Sequence, residues 1–272
     1  MTSISSRDAV EIFAYLNSTK NPVATILPTT MVSQYKPAPT IAYFSSRGPS
    51  SISRNILKAK PPDIAAPGSN IIAAWTAYNG EATDKSKEIP KFKIMSGTSV
   101  ACPHVSGLAA EIKSRYPSWS PSAVKSAIMT TGEASQINNM KGPLTAELGA
   151  IATAYDYGAG EISTNRASQP GLVYETTAID YLNFLCYHGY NKSTIKESKA
   201  DLISNINYPS IAVFNLTGKH SRSITRTLTN VAGGGNTTYS VTIEAPTGLT
   251  VTVSPTRLQF TKNGQRLSCI VM

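Results

Sequence analysis

Apolar residues at 101, 105, 108 and 112 recur at helical spacing directly after a polar, glycine-containing turn. Ala101, Val105, Leu108 and Ile112 thus mark one face of a helix that opens near Ser99 and is expected to be buried, with Gly107, Ala109 and Ala110 allowing close neighbours. Ser120-Pro121 punctuates a second helix, with Ser120 as N-cap and Pro121 at its first position. Val124 and Ile128 lie four apart on it, and it ends near Thr131-Gly132. Ser5 with Asp8 fits a capping box ahead of a short helix over Ala9–Leu16. Pro22–Leu27, Thr40–Phe44 and the apolar run Ile71–Trp75 read as strands, the last one buried. Asn79–Pro90 is polar and charged, a surface loop.

From about residue 202 the period changes to two. Tyr239, Val241 and Ile243 share a face, as do Leu249, Val251 and Val253, then Leu258 and Phe260, then Leu267, Cys269 and Val271. Gly233-Gly234-Gly235-Asn236 and Pro246-Thr247-Gly248 supply turns. Alternation with turns at this spacing predicts a β-sandwich. Such a sandwich takes about 100 residues, so its last strands are expected to be absent here.

The 41% hydrophobic content of 272 residues supports a real core, and no apolar run is long enough to suggest a membrane span. The net charge of +9 is scattered. Arg54, Lys58 and Lys60 form the nearest cluster, without interleaved aromatics, so a solvated basic surface is read rather than a nucleic-acid site. No apolar stretch follows Met1, so no signal peptide is visible. Cys102, Cys186 and Cys269 are widely spaced and show no metal spacing; Cys102, on the serine helix, is expected to be a buried free thiol. Sequons at Asn17, Asn191, Asn215 and Asn236 arise easily by chance in a chain this rich in Asn, Ser and Thr.

The chemistry concentrates in Phe92–Gly107. A serine on the first turn of a helix has its hydroxyl beside backbone N–H groups that lack intrahelical partners, and the helix dipole adds positive potential there. That suits a nucleophile whose reaction creates an oxyanion. The alternative is that Thr98 or Ser99 is only an N-cap. The longer string Gly97-Thr98-Ser99-Val100-Ala101-Cys102-Pro103-His104-Val105-Ser106-Gly107 resembles the nucleophile motif of the subtilisin-like serine proteases (subtilases), in its plant, cucumisin-like form. It is not the Gly-x-Ser-x-Gly elbow, because Ala101 stands at the second glycine. Pro61–Gly68, Phe44–Pro49, the Pro117-Ser118-Trp119-Ser120-Pro121 pattern and Asp156–Gly160 extend the resemblance. Phe44 fits either a core aromatic or a cleft residue. Glu161 follows where the plant pattern has His, a change expected to affect packing. Asn207-Tyr208-Pro209-Ser210 and Arg226–Val231 resemble the fibronectin-III-like domain that ends plant subtilases.

The resemblance implies an α/β fold: the C-terminal part of a subtilisin-like parallel-sheet domain over 35–200, then an incomplete fibronectin-III-like sandwich over 201–272. Residues 1–34 resemble the tail of a protease-associated insert domain. It assigns Ser99 as nucleophile and Thr98 as assisting the oxyanion. Asp63, after two prolines, lacks the context of a triad aspartate and is read as a structural turn or capping carboxylate. The three histidines are His104, His188 and His220. His104 is read as a buried packing residue, about 140° around the helix from Ser99. His188 and His220 match no triad motif. The family's Asp, His-Gly-Thr-His and oxyanion Asn segments are expected N-terminal to this chain. The implied function is a secreted serine endopeptidase acting on proteins or peptides, with this chain alone inactive. A non-catalytic scaffold is the alternative, and a sandwich-based adhesion module a third class. No cofactor, metal, nucleic acid or membrane partner is called for.

Overall fold

The computed structural model describes residues 6–28, 39–49, 62–75, 91–133, 145–146, 151–187, 204–213, 216–218 and 220–272. The Arg54/Lys58/Lys60 group, the loop over 79–90, His188 and the Asn191 and Asn215 sequons lie outside them. The chain divides into two units, Met1–Lys36 and Pro37–Met272. In the first, helix α1 (Ser6–Ser18) forms as expected. Pro22–Leu27 forms no strand. A strand needs a backbone partner, and the described residues supply only the Tyr15 hydroxyl, which bonds the Val23 backbone.

The second unit opens with β1 (Thr40–Ile41), shorter than the expected Thr40–Phe44 because the Ser45 N–H closes a turn onto the Ala42 carbonyl. β2 (Ile71–Ala74) and β3 (Phe92–Met95) pair antiparallel. β2 is not a buried strand: the two-stranded ribbon is covered on one face only, so Ile72 is 70% exposed. Helix α2 (Thr98–Arg115) and helix α3 (Pro121–Thr130) follow. β4 (Thr145–Ala146) pairs with β1, the one parallel strand pair among the described residues. Short helices α4 (Ala154–Tyr157) and α5 (Thr164–Ala167) lead to β5 (Leu172–Tyr174) and helix α6 (Ala178–Tyr187). The remaining strands are β6 (Ile224–Asn230), β7 (Thr237–Ser240), β8 (Val253–Ser254), β9 (Arg257–Phe260) and β10 (Arg266–Val271).

The main core lies where α2 and α3 meet β5. Leu108 and Ile112 of α2, Val124, Ala127 and Ile128 of α3, Ala167 and Val173 are all buried together. α3 starts as its sequence dictates: the Ser120 hydroxyl accepts the Ala123 N–H at 3.1 Å, with Pro121 next. α2 ends where the Lys113 ammonium donates to the Pro117 and Trp119 carbonyls at 2.7 and 2.6 Å. Tyr116 stacks on Trp119 at 4.2 Å between ring centroids. Phe44 belongs to no buried cluster; it is half-buried, edge-on to Tyr43.

The sandwich part carries a four-stranded sheet, β5-β6-β10-β8, and a β7-β9 pair. Phe260 is buried, edge-on to Tyr239. Tyr239 in turn fills the space beside Gly171, where a β-carbon would lie 2.9 Å from its hydroxyl and φ is +73°. The alternating pattern overstates the strands: Val241, Ile243 and Leu249 fall outside them and are each 40% exposed. Because β5 joins the sheet from ahead of residue 200, the two parts share backbone hydrogen bonds. A polar seam adds to them. The Asn207 amide donates to the Glu175 and Thr227 carbonyls and accepts the Thr227 N–H. Glu175 pairs with Arg266 at 2.6 Å. The buried Arg226 guanidinium, pushed below its ordinary pKa by burial, donates to the Ser204 and Ser210 carbonyls.

Two outcomes follow from this packing. Ile112→Ala is expected to destabilise the chain by about 2–5 kcal/mol, the usual cost of such a buried truncation, read from urea denaturation. Glu161 exchanges backbone hydrogen bonds with Glu133, and burial, then the Glu133 charge, raise its carboxyl pKa above 4.5. A raised carboxyl binds its proton more tightly in the folded state, so stability falls as pH rises from the ordinary carboxylate range through the raised value. Glu161→Gln removes that slope; a urea midpoint with the same pH dependence in both proteins would refute this.

Candidate active site

Ser99 stands on the first turn of α2 and is exposed. The N-cap is Gly97, with φ 156° and ψ 160°, a region only glycine uses freely, and no side chain caps the helix. Thr98 and Ser99 are therefore helical residues and not caps. Their N–H groups have no intrahelical acceptor, whereas those of Val100 and Ala101 turn back to the Gly97 carbonyl at 3.0 and 3.2 Å. An accessible hydroxyl and, among the described residues, N–H groups without a backbone acceptor thus lie together at the positive end of the helix dipole.

The turn ahead of Ser99 packs against the segment before β2. The Gly97 N–H donates to the Gly68 carbonyl at 2.8 Å, and the Asn70 N–H donates to the Ser96 hydroxyl at 2.8 Å. A β-carbon on Gly68 would lie 3.0 Å from Ala101 Cβ and from the Gly97 oxygen. The sequence reading missed Asn70 and Ser96. Neither belongs to a periodic pattern, and the single clue, an Asn placed to adopt φ 55°, means nothing before its partner is known.

Other expectations need correction. α2 is not buried around its circumference: Cys102 is an exposed free thiol, and a β-carbon on Gly107 meets nothing within 4 Å. Among the described residues the buried face of α2 is the one carrying Leu108 and Ile112, which α3 covers. His104 is half-buried, not buried, and its Nδ1 lies 3.1 Å from the Val100 carbonyl of its own helix. His220 is exposed, with Nδ1 2.8 Å from the Thr217 carbonyl. Neither bonds Ser99. Asp63, read as a turn or capping carboxylate, instead pairs with Lys125 at 2.7 Å and accepts the Tyr208 hydroxyl at 2.6 Å. Burial, then that hydrogen bond, raises the Tyr208 pKa. A cavity of about 550 Å³ runs along α2 and α3, lined by apolar residues such as Val105, Ala109 and Ile128, and Ser99 is not in its lining. Among the described residues no cluster of His, Cys, Asp or Glu has the arrangement to hold a metal ion.

Residues 13–160, more than half of the sequence, match the Subtilase family profile. The chain belongs to the subtilase family. Residues 205–272 match a fibronectin type-III domain. The "CO(2)-response secreted protease" of Arabidopsis thaliana is 54% identical over 98% of this chain, and the match covers 36% of that protein. "Subtilisin-like protease SBT5.1" of the same plant is 49% identical over 98% of the chain and 36% of its own length. "Subtilisin-like protease SBT5.3" is 43% identical over 97% and 35%. This subtilase chain thus spans about a third of the length of the relatives it matches. Among the described residues, no helix is long and apolar enough to cross a membrane.

The exposure of Cys102 gives a direct check on the helix surface. A disulfide reagent such as DTNB is expected to titrate Cys102 rapidly in the folded chain and to spare Cys186, which is 4% exposed. Cys102→Ser should remove the fast phase; a fast phase that survives it would contradict the exposed face of α2.

Proposed function

We propose that this subtilase chain is part of a secreted serine endopeptidase in which Ser99 is the nucleophile and forms the acyl-enzyme. The observation that carries the reading is the exposed Ser99 on the first turn of α2, whose own N–H has no backbone acceptor among the described residues. On this reading the Ser99 N–H and Thr98 assist the oxyanion. The substrates are proteins or peptides, in line with the protease names of the relatives. Export is supported by the relative named as secreted. Residues 1–34 serve as the tail of an insert domain, 35–200 as the peptidase part and 201–272 as the sandwich.

A serine hydroxyl needs an aligned base, and the base an orienting carboxylate. His104 and His220 both bond carbonyls away from Ser99, and Asp63 is committed to Lys125 and Tyr208. Neither described histidine reaches Ser99 and His188 matches no triad motif, so the base and its carboxylate are proposed to come from the two-thirds of the relatives' length that the match leaves uncovered. The same absence of a described imidazole at Ser99 favours the second reading, a non-catalytic scaffold.

A fluorophosphonate probe separates them. Residues 1–272 alone are expected to stay unlabelled, because loss of the base costs turnover by about 10⁶ in subtilisin itself. A protein extended to the length of its relatives is expected to be labelled, and Ser99→Ala to abolish this. Labelling of the 272-residue chain that Ser99→Ala removes would show a base within it. An extended protein that never labels would favour the scaffold.

A further inference from the structure

Among the described residues no hydrogen bond holds the Ser99 side chain, so its presentation depends on the backbone that precedes it. That backbone turns at Gly97, the residue type with the greatest conformational freedom. A glycine between a strand and a helix leaves the helix start free to shift unless something outside it fixes the turn. The β2–β3 ladder does not reach that far, since its last pair is Ile71 with Met95. The next pair along is Asn70 with Ser96, and there side-chain bonds replace the ladder. The Asn70 N–H donates to Ser96 Oγ at 2.8 Å, and Ser96 Oγ reaches Asn70 Oδ1 at 3.5 Å. Asn70 adopts φ 55°, the only positive value at a non-glycine among the described residues, and asparagine tolerates it well. One residue further, the Gly97 N–H closes onto the Gly68 carbonyl.

We infer that Asn70 and Ser96 are positioning residues for Ser99: their mutual hydrogen bonding clamps the turn from which the serine helix starts. The inference rests on the reading of Ser99 as nucleophile, but its geometry is testable without activity. Neither residue touches the reacting atoms; each acts through Gly97.

The test is residue-resolved hydrogen exchange on the 272-residue chain, with the Ser99 ¹³Cβ resonance as a second signature. Ser96→Ala deletes the acceptor of the Asn70 N–H. It is expected to speed exchange at Asn70, Gly97, Val100 and Ala101 by about fivefold, the population change that loss of one hydrogen bond brings. Leu108 and Ile112, in the helix body, should be unaffected, and the Ser99 resonance should shift. Ser96→Thr, which keeps the oxygen, should restore both readouts. Asn70→Val, disfavoured at positive φ, should reproduce the Ser96→Ala pattern. Unchanged exchange at Gly97 and Val100, or an equal rise at Leu108 and Ile112, would overturn the clamp. Survival of fluorophosphonate labelling in Ser99→Ala of the protein extended to the length of its relatives would instead sink the nucleophile reading and leave the clamp standing.

Discussion

The packing of one face of α2 on α3 is the contact on which the described architecture hangs. Ile112 and Ala127 are almost fully excluded from solvent, and Leu108, Val124 and Ile128 close around them. Apolar burial is non-directional, yet here it orients the rest, because each helix is joined to a further part of the fold. The N-terminus of α2 holds Ser99. The far side of α3 receives Val173 of β5, and through β5 the sheet of the sandwich. Loosening that helix pair would disturb both ends.

At the serine, the fold meets a conflict. On the proposed reading of Ser99 as nucleophile its side chain has to be exposed, and exposed side chains are poorly fixed. The structure resolves it by fixing the backbone. Gly68 and Ala101 approach so closely that a β-carbon on Gly68 would lie 3.0 Å from Ala101 Cβ, and Gly97 is held by the Gly68 carbonyl. The helix then supplies uncommitted N–H groups and a favourable dipole without any further residue.

Between the helical part and the sandwich, polar contacts accompany the apolar packing of Val173 and Val231. Charged groups there are paired with partners of matching chemistry: Asp63 with Lys125 and Tyr208, and Glu175 with Arg266 and two hydroxyls. Such contacts are directional, so they set register where apolar packing alone would permit sliding. Breaking one partner of a half-buried set leaves the other uncompensated. This makes the sandwich a structural companion of the serine module, joined by the β5–β6 ladder and by Tyr208 reaching back across the chain.

The sequence by itself determined the features that depend on neighbours in the chain. Ser120 caps α3 because a hydroxyl three residues before Ala123 meets its N–H in any helix. The Leu108–Ile112 face follows from helical spacing, and Ser99 from a motif whose residues are contiguous. The sandwich was legible from period-two alternation, although the alternation ran past the strands at Val241 and Leu249, which pair with no described strand and are 40% exposed. What only the tertiary structure decided is burial and partnership. Pro22–Leu27 has strand composition and, among the described residues, no strand beside it. Ile72 and Cys102 look apolar and face solvent, because coverage comes from one side alone. Asn70 and Ser96 lie 26 residues apart, and Asp63 and Tyr208 lie 145 apart. No local pattern encodes such pairs. They exist because a three-dimensional fold brings a donor to an acceptor, and that proximity is the physical information a one-dimensional reading lacks.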